Sequence, residues 1–268
     1  MIGGRHDSPV LCGMFLPHGF RPDTPPQRIV SLVPSISELV YDLGAGNQLV
    51  GITRYCVHPA EALQTKVVVG GTKKVVVKRI DSLEPDLILA NREENVREQI
   101  EALAERYPVW LTDLYDRTDN RHMITDVGRL LHRDMEASTL NNRIDNAFQQ
   151  LLPFPPKRVA YLIWKDPYIA AGSQTFIDAM LRDLGWTNVF ADQSRYPSFT
   201  LDELVQRKPE LVLLSSEPYP FSDEHLAIIY SILPSSQPIL VDGEMFSWYG
   251  SRMQWAPAYF DQLRARIV

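Results

Sequence analysis

A set of short segments occurs twice in this chain, and the repetition limits the possible folds more than any other feature. Arg28-Ile-Val-Ser-Leu-Val33 answers to Arg158-Val-Ala-Tyr-Leu-Ile163, and Leu43-Gly44 with Asn47 answers to Leu184-Gly185 with Asn188. Ile80-Asp-Ser-Leu83 followed by Pro85-Asp-Leu-Ile-Leu89 answers to Leu201-Asp-Glu-Leu204 followed by Pro209-Glu-Leu-Val-Leu213. The matches keep their order, as two copies of one structural plan would. Within the first copy, short β-branched runs at 28–33, 49–53, 67–69, 87–90 and 109–111 read as strands. Apolar residues at helical spacing over 37–43 and 94–106 read as helices, the first capped by Ser35 and stopped at Gly44. Strands that alternate with helices predict a mainly parallel sheet covered on both faces.

Between the copies, Met123, Val127, Leu130, Leu131, Leu140, Ile144, Ala147, Phe148 and Leu151 fall on one helical stripe. The expectation is one long helix over 119–152, about 50 Å at 1.5 Å per residue, with Gly128 its weak point and Pro153, Pro155 and Pro156 its end. The expected organisation is therefore α/β with two similar lobes. Residues 1–27 form an irregular N-terminal extension, 28–118 an N-terminal lobe, 119–152 a bridging backbone helix and 153–268 a C-terminal lobe.

A chain of 268 residues with 45% hydrophobic and 22% charged residues can bury two such cores, and no apolar run reaches the roughly 20 residues of a membrane span. A net charge of -6 with scattered Lys and Arg argues against a nucleic-acid partner. The two cysteines, Cys12 and Cys56, make neither a disulfide framework nor a CxxC motif, and Leu11 before Cys12 argues against a lipoprotein site.

Parallel α/β sheets collect ligands beyond the carboxyl ends of their strands. The loops at those ends carry Arg54 and Tyr55, Lys73, and Asn91 and Arg92 in the first lobe. In the second they carry Trp164 and Tyr168, Glu217, and Trp248, Tyr249 and Arg252. Aromatic faces interleaved with cations suit a large, partly planar, anionic organic ligand. Each of these side chains is equally consistent with capping a core or facing solvent. His58 is the one histidine in these loops and the only candidate metal ligand among the histidines, since His122, His132 and His225 fall on predicted helices. A bare divalent ion needs three or four converging donors, which argues for a metal chelate in place of a free ion.

No catalytic signature is complete. Gly70-Gly-Thr-Lys73 lacks the first glycine and the Lys-Ser/Thr ending of a phosphate loop, and Gly44-Ala-Gly46 reads as a helix stop. There is no Gly-x-Ser-x-Gly elbow, no His-Glu-x-x-His pair, and nothing calls for a resident cofactor.

Arg28-Ile-Val-Ser-Leu-Val-Pro-Ser-Ile-Ser-Glu-Leu39, Leu43-Gly-Ala-Gly-Asn47 with Val50-Gly-Ile-Thr53, Val69-Gly-Gly-Thr72 and Leu83-Glu-Pro-Asp-Leu-Ile-Leu-Ala90 resemble the class III periplasmic binding proteins for iron-siderophores, haem and cobalamin. The resemblance runs over about residues 28 to 268. It implies a monomer of two lobes bridged by a backbone helix, a ligand in the cleft between them, and delivery to an ABC permease. By position Tyr55 is similar to the tyrosine with which cobalamin-binding relatives touch the corrin, while their tryptophan after the next major strand is replaced by Asn91. Relatives dock with one glutamate per lobe. The candidates here are Glu94 and Glu98, beside Glu93, in the first lobe and Glu224, beside Glu217, in the second. The family role implies the periplasm, whereas residues 1–27 lack the charged start, apolar stretch and cleavage site of a signal peptide, which leaves a cytoplasmic position open. The reading is a binding protein and not an enzyme. The competing reading is a cytosolic enzyme or metal-cluster-binding protein on the same architecture, for which Cys56 and His58 are the motive.

Overall fold

Strand β2, Ile29–Ser31, is buried on both faces, and that demands neighbours on either edge and cover above and below. In the computed structural model, which describes residues 14–267, it has them. It lies between β3, Leu49–Ile52, and β5, Leu87–Asn91, in parallel register, with Val30 opposite both Gly51 and Ile88. Beyond these lie β4, Val67–Val68, next to β3, and β6, Val109–Thr112, next to β5. A short strand β1, Phe15–Leu16, adds parallel to the free edge of β6, giving the order β1-β6-β5-β2-β3-β4. Val30, Leu32, Ile80, Ile88, Ile100 and Leu103 are at the centre of the core of this sheet.

The second sheet repeats the plan. It contains β7, Arg158–Trp164, β8, Tyr168–Ala170, β9, Thr187–Asn188, β10, Ser198–Phe199, β11, Leu211–Ser215, and β12, Gln237–Val241. Its order is β10-β8-β7-β11-β12 with β9 also on β7. β7, β9, β11 and β12 pair in parallel. β8 runs antiparallel to β7 and β10 antiparallel to β8, so this sheet is parallel only in the part that repeats the first.

The duplicated residues do the same work in both copies. Arg28 donates its backbone N–H to Asp86 and its Nε to the Leu83 carbonyl. Arg158 donates its backbone N–H to Glu210 and its Nε to the Lys208 carbonyl. The helices Val77–Leu83 and Leu201–Arg207 each end on a left-handed residue, Glu84 at φ 43 and Lys208 at φ 47. Gly44 and Gly185 both sit at φ 76 just past a helix, where a glycine avoids the Cβ clash.

Three expectations are corrected. The segment expected as one helix over 119–152 is two, Arg117–Leu130 and Asp134–Gln150. The first starts early because the Asp116 carboxylate accepts the Asp119 N–H while Asp119 accepts from Tyr115. It stops in a Schellman turn: Arg133 N–H reaches the Gly128 carbonyl at 2.7 Å, His132 N–H reaches Arg129, and His132 stands at φ 56. Its imidazole Nε2, 2.8 Å from the Pro22 carbonyl, holds it there. Gly128 matters as a close approach, since a Cβ there would strike Ala137 at the start of the next helix. Second, the part of the expected irregular extension within the described residues includes strand β1 and is tied down by His18 and Gly19 to Asp126 and by Arg21 to Asp134. Cys12 lies outside the described residues. Third, Ser35 does not cap its helix; Pro34 occupies the first turn of Pro34–Asp42 and the preceding Val33 makes no side-chain cap.

The described chain divides into two units, one of residues up to Asp113 with Thr125–Ala137 and one of Leu114–Ile124 with the residues from Ser138 onward. No helix among the described residues is long and apolar enough to cross a membrane.

Candidate functional site

Each unit is described by itself, beginning with the strand ends of the first. Chain leaving β3 turns at once, Cys56 N–H bonding to the Thr53 carbonyl, and this throws Arg54 and Tyr55 outward while Cys56 goes in. Tyr55 is 54% exposed. Its ring lies over Gly71, where a Cβ would come within 3.2 Å of Cε2, and Arg54 Nε lies near the same point. Gly70 stands at φ 128 and a Cβ there would meet the Lys74 carbonyl oxygen, so the turn carrying Lys73 can be made only by glycine. Lys73 is exposed, and its ammonium donates to the Glu93 carbonyl. Arg92 is exposed and pairs with Asp113 at 3.8 Å.

Asn91, expected on the rim, is buried. Its side-chain oxygen accepts from the Glu93 and Glu94 N–H groups, and its own N–H donates to Asn95. It shapes the loop from within because an Asx turn satisfies backbone donors that the end of β5 would leave bare. Cys56 is buried with Ser37 Oγ at 3.1 Å and Thr53 Oγ1 at 3.3 Å, and burial pushes its thiol up, so it stays protonated and is a poor nucleophile. Among the described residues no three His, Cys, Asp or Glu converge as a metal site, and His58 joins no such group.

The strand ends of the second unit form a denser cluster. Glu217, just past β11, is largely buried, and one of its oxygens accepts both Ser247 Oγ at 2.9 Å and Trp248 Nε1 at 2.8 Å. That fixes the indole plane. Arg252 lies over the Trp248 ring at 5.2 Å and the Trp255 ring at 5.4 Å, with Glu244 at 3.0 Å from its Nη1. At 9% exposure it is not the solvated surface charge that an arginine in a loop would ordinarily be; it is a cation between two indoles. The segment bearing it is anchored where Gly250 N–H donates to Asn120. Gly243 must stay small because a Cβ would lie 2.6 Å from Glu217 Cγ.

Trp164, 39% exposed at the end of β7, meets Tyr219 edge-on at 5.7 Å. Tyr168 leans on Phe199 and is half-buried, and Tyr249 is buried against Phe176, so these two aromatics cap the core more than they offer a face. Tyr219, at the end of the strand-end loop that starts at Ser215, joins the rim through Trp164, and Trp255, three residues beyond Arg252, is a rim residue that strand-end position alone does not point to. His225, expected away from the rim, contacts Tyr219 of the rim loop at 3.2 Å. Glu98 and Glu224 are the second residues of Arg97–Ala104 and Asp223–Ile232, helices that follow the equivalent strands β5 and β11, and both are exposed. Glu94, by contrast, is half-buried beside Asn91.

Glu217 gives a pH-dependent test. Burial, first, and the charges of Glu244 and Asp242 raise its carboxyl above the ordinary value, against the lowering effect of Ser247 and Trp248. A raised folded pKa means that its contribution to stability is complete below the unfolded carboxyl pKa, about 4.3, and is lost as pH rises through the folded value. Glu217→Gln keeps an acceptor for both donors and removes the charge. Its melting temperature is therefore expected to exceed that of the wild type at pH 7 to 8, with the gap closing towards about pH 4. A gap independent of pH in thermal melts would refute this assignment.

Comparison with known proteins shows the family. Residues 29–227 match the family model described as periplasmic binding protein. A vitamin B12-binding protein of Photorhabdus laumondii is 29% identical over 199 residues, 71% of this chain and 71% of that one. That of Yersinia pestis is 26% identical over 198 residues, 70% and 69% respectively. Among solved structures, the periplasmic vitamin B12 binding protein BtuF of Vibrio cholerae has a TM-score of 0.77 at 19% identity, covering 91% of this chain and 98% of its own. The periplasmic heme-binding protein RhuT of Roseiflexus has a TM-score of 0.77 at 21% identity, covering 90% and 97%. The chain belongs to the periplasmic binding protein family, in agreement with the class III resemblance of its sequence.

Proposed function

We propose that this protein is the substrate-binding component of an ABC-type importer and that it takes a metal chelate of the corrinoid, haem or iron-siderophore kind. The observation that carries the reading is the Trp248–Arg252–Trp255 stack with Glu217 behind it. Planar faces and a fixed cation at one strand-end rim suit a flat ligand with anionic or amide groups, which brings its own metal donors. Arg54, Tyr55 and Lys73 give the other unit's strand ends the same combination of ring and charge. The relatives that bind vitamin B12 and haem support the class of ligand. The protein acts as a single chain where its family acts, outside the cytoplasmic membrane. The buried, protonated Cys56 supplies no nucleophile for the enzyme reading.

Glu98 and Glu224 are the docking pair towards the permease, one from each unit; their matched places at two helix starts support this. Titrating intrinsic tryptophan fluorescence with cyanocobalamin, haemin and a ferric siderophore, beside zinc and manganese salts, tests the function. One chelate is expected to bind with a Kd of about 1 μM or below, worth about 8 kcal/mol. Tight binding of a free divalent ion alone, or turnover of a substrate, would overturn the reading. With the chelate known, Glu98→Lys and Glu224→Lys together are expected to leave its Kd unchanged and to abolish stimulation of the permease ATPase in proteoliposomes.

A further inference from the structure

The loop after β11 holds a hydrogen-bond chain that the family match does not assign. It starts at the backbone N–H of Ser222, which donates to Nδ1 of His225 at 3.0 Å. A backbone N–H can only donate, so Nδ1 is the accepting nitrogen and the ring proton sits on Nε2. His225 is buried at the third position of helix Asp223–Ile232, where it closes a capping box with Ser222, so the helix start itself sets this contact. Ser222 Oγ, 2.9 Å from the same nitrogen, can turn its hydrogen towards Nδ1.

Nε2 lies 3.2 Å from Tyr219 Oη. With Nε2 donating, the phenol oxygen accepts, and the Tyr219 hydrogen is directed away from the imidazole. The ring cannot swing to hide it, because Trp164 at 5.7 Å, Phe221 at 4.8 Å and His225 at 5.5 Å all meet it edge-on. Tyr219 N–H also ties the loop to the Ile163 carbonyl beside Trp164. A donor held in place by packing loses little conformational entropy when it meets an acceptor.

We infer that Tyr219 is a specificity-determining residue of the second unit's rim, a hydroxyl donor oriented by His225 for an oxygen acceptor on the periphery of a ligand beside Trp164. The inference rests on the binding-protein reading and narrows its ligand to chelates with carboxylate, phosphate or amide oxygens at the edge. Haemin and cyanocobalamin both carry such oxygens and serve as probes.

The test compares wild type, Tyr219→Phe, His225→Gln and His225→Leu by fluorescence titration with both probes, and records the histidine 15N spectrum of the wild type. Tyr219→Phe is expected to weaken the probe that the wild type binds by about tenfold, the worth of one well-made hydrogen bond. A glutamine at position 225 offers an acceptor to Ser222 N–H and a donor to Tyr219, so His225→Gln stays within about twofold of wild type, whereas His225→Leu falls to the Tyr219→Phe level. The spectrum shows the proton on Nε2. If His225→Leu does not fold, Tyr219→Phe and His225→Gln decide the matter. Wild-type affinity in Tyr219→Phe, or a proton on Nδ1, overturns the inference alone. A wild type that binds neither probe removes the ligand role of Tyr219, and with no response to a siderophore either it removes the binding reading too.

Discussion

Trp248→Ala is expected to weaken binding of the chelate that the wild type takes by about 10- to 100-fold, the range of a buried aromatic anchor. The indole is not a loose surface ring. Glu217 accepts its Nε1–H at 2.8 Å, and Arg252 lies over its face at 5.2 Å, so both the plane of the ring and the place of the cation depend on it. Removing it leaves the largely buried Glu217 carboxylate with one donor fewer and takes one of the two indoles away from Arg252. Trp248→Phe keeps a smaller aromatic face and loses the N–H donor to Glu217, so its affinity should fall between wild type and Trp248→Ala. Equal affinities for wild type and Trp248→Ala in equilibrium titration would show that this rim does not hold the ligand.

The largest effect on stability is expected at Gly70. Its φ of 128 lies where side chains are not tolerated, and an added Cβ would sit 2.5 Å from the Lys74 carbonyl oxygen and 3.0 Å from Val75 Cα, both backbone atoms that cannot step aside. Gly70→Ala is therefore expected to cost about 2 to 4 kcal/mol, a fall of roughly 5 to 12 °C in Tm by thermal denaturation. Gly71→Ala is the control. There the nearest neighbour is the ring of the exposed Tyr55 at 3.2 Å, which can move, so the cost should stay below about 1 kcal/mol. Indistinguishable melting curves for wild type and Gly70→Ala would mean that the turn carrying Lys73 is not built as described.

The strand and helix plan was legible in the sequence because local chemistry and burial agree there. The duplicated Arg28 and Arg158, with Asp86 and Glu210, close the same strand-start contacts, and Gly44 and Gly185 stop their helices through the same positive φ. Residues such as Val30 and Ile88 are apolar because both faces of their sheet are covered, and that pattern needs no knowledge of partners. The strand-end loops were legible as places, since a parallel sheet sends them all to one edge.

What each loop residue does was decided only by tertiary contacts. The helix over 119–152 breaks at 131–133 on a histidine, not at the glycine, because the Pro22 carbonyl holds His132 while Gly128 admits Ala137; both partners are supplied by the folded chain. Asn91 turned inward because two backbone N–H groups at the end of β5 needed an acceptor. Arg252 became a buried cation because indoles on either side of it in sequence close over it and Glu244 pairs with it. Periodicity reports which face of an element is apolar, and so it determines cores. A polar or aromatic side chain in a loop has no such period, and its role follows from which donors and rings the fold brings within about 3 to 6 Å of it.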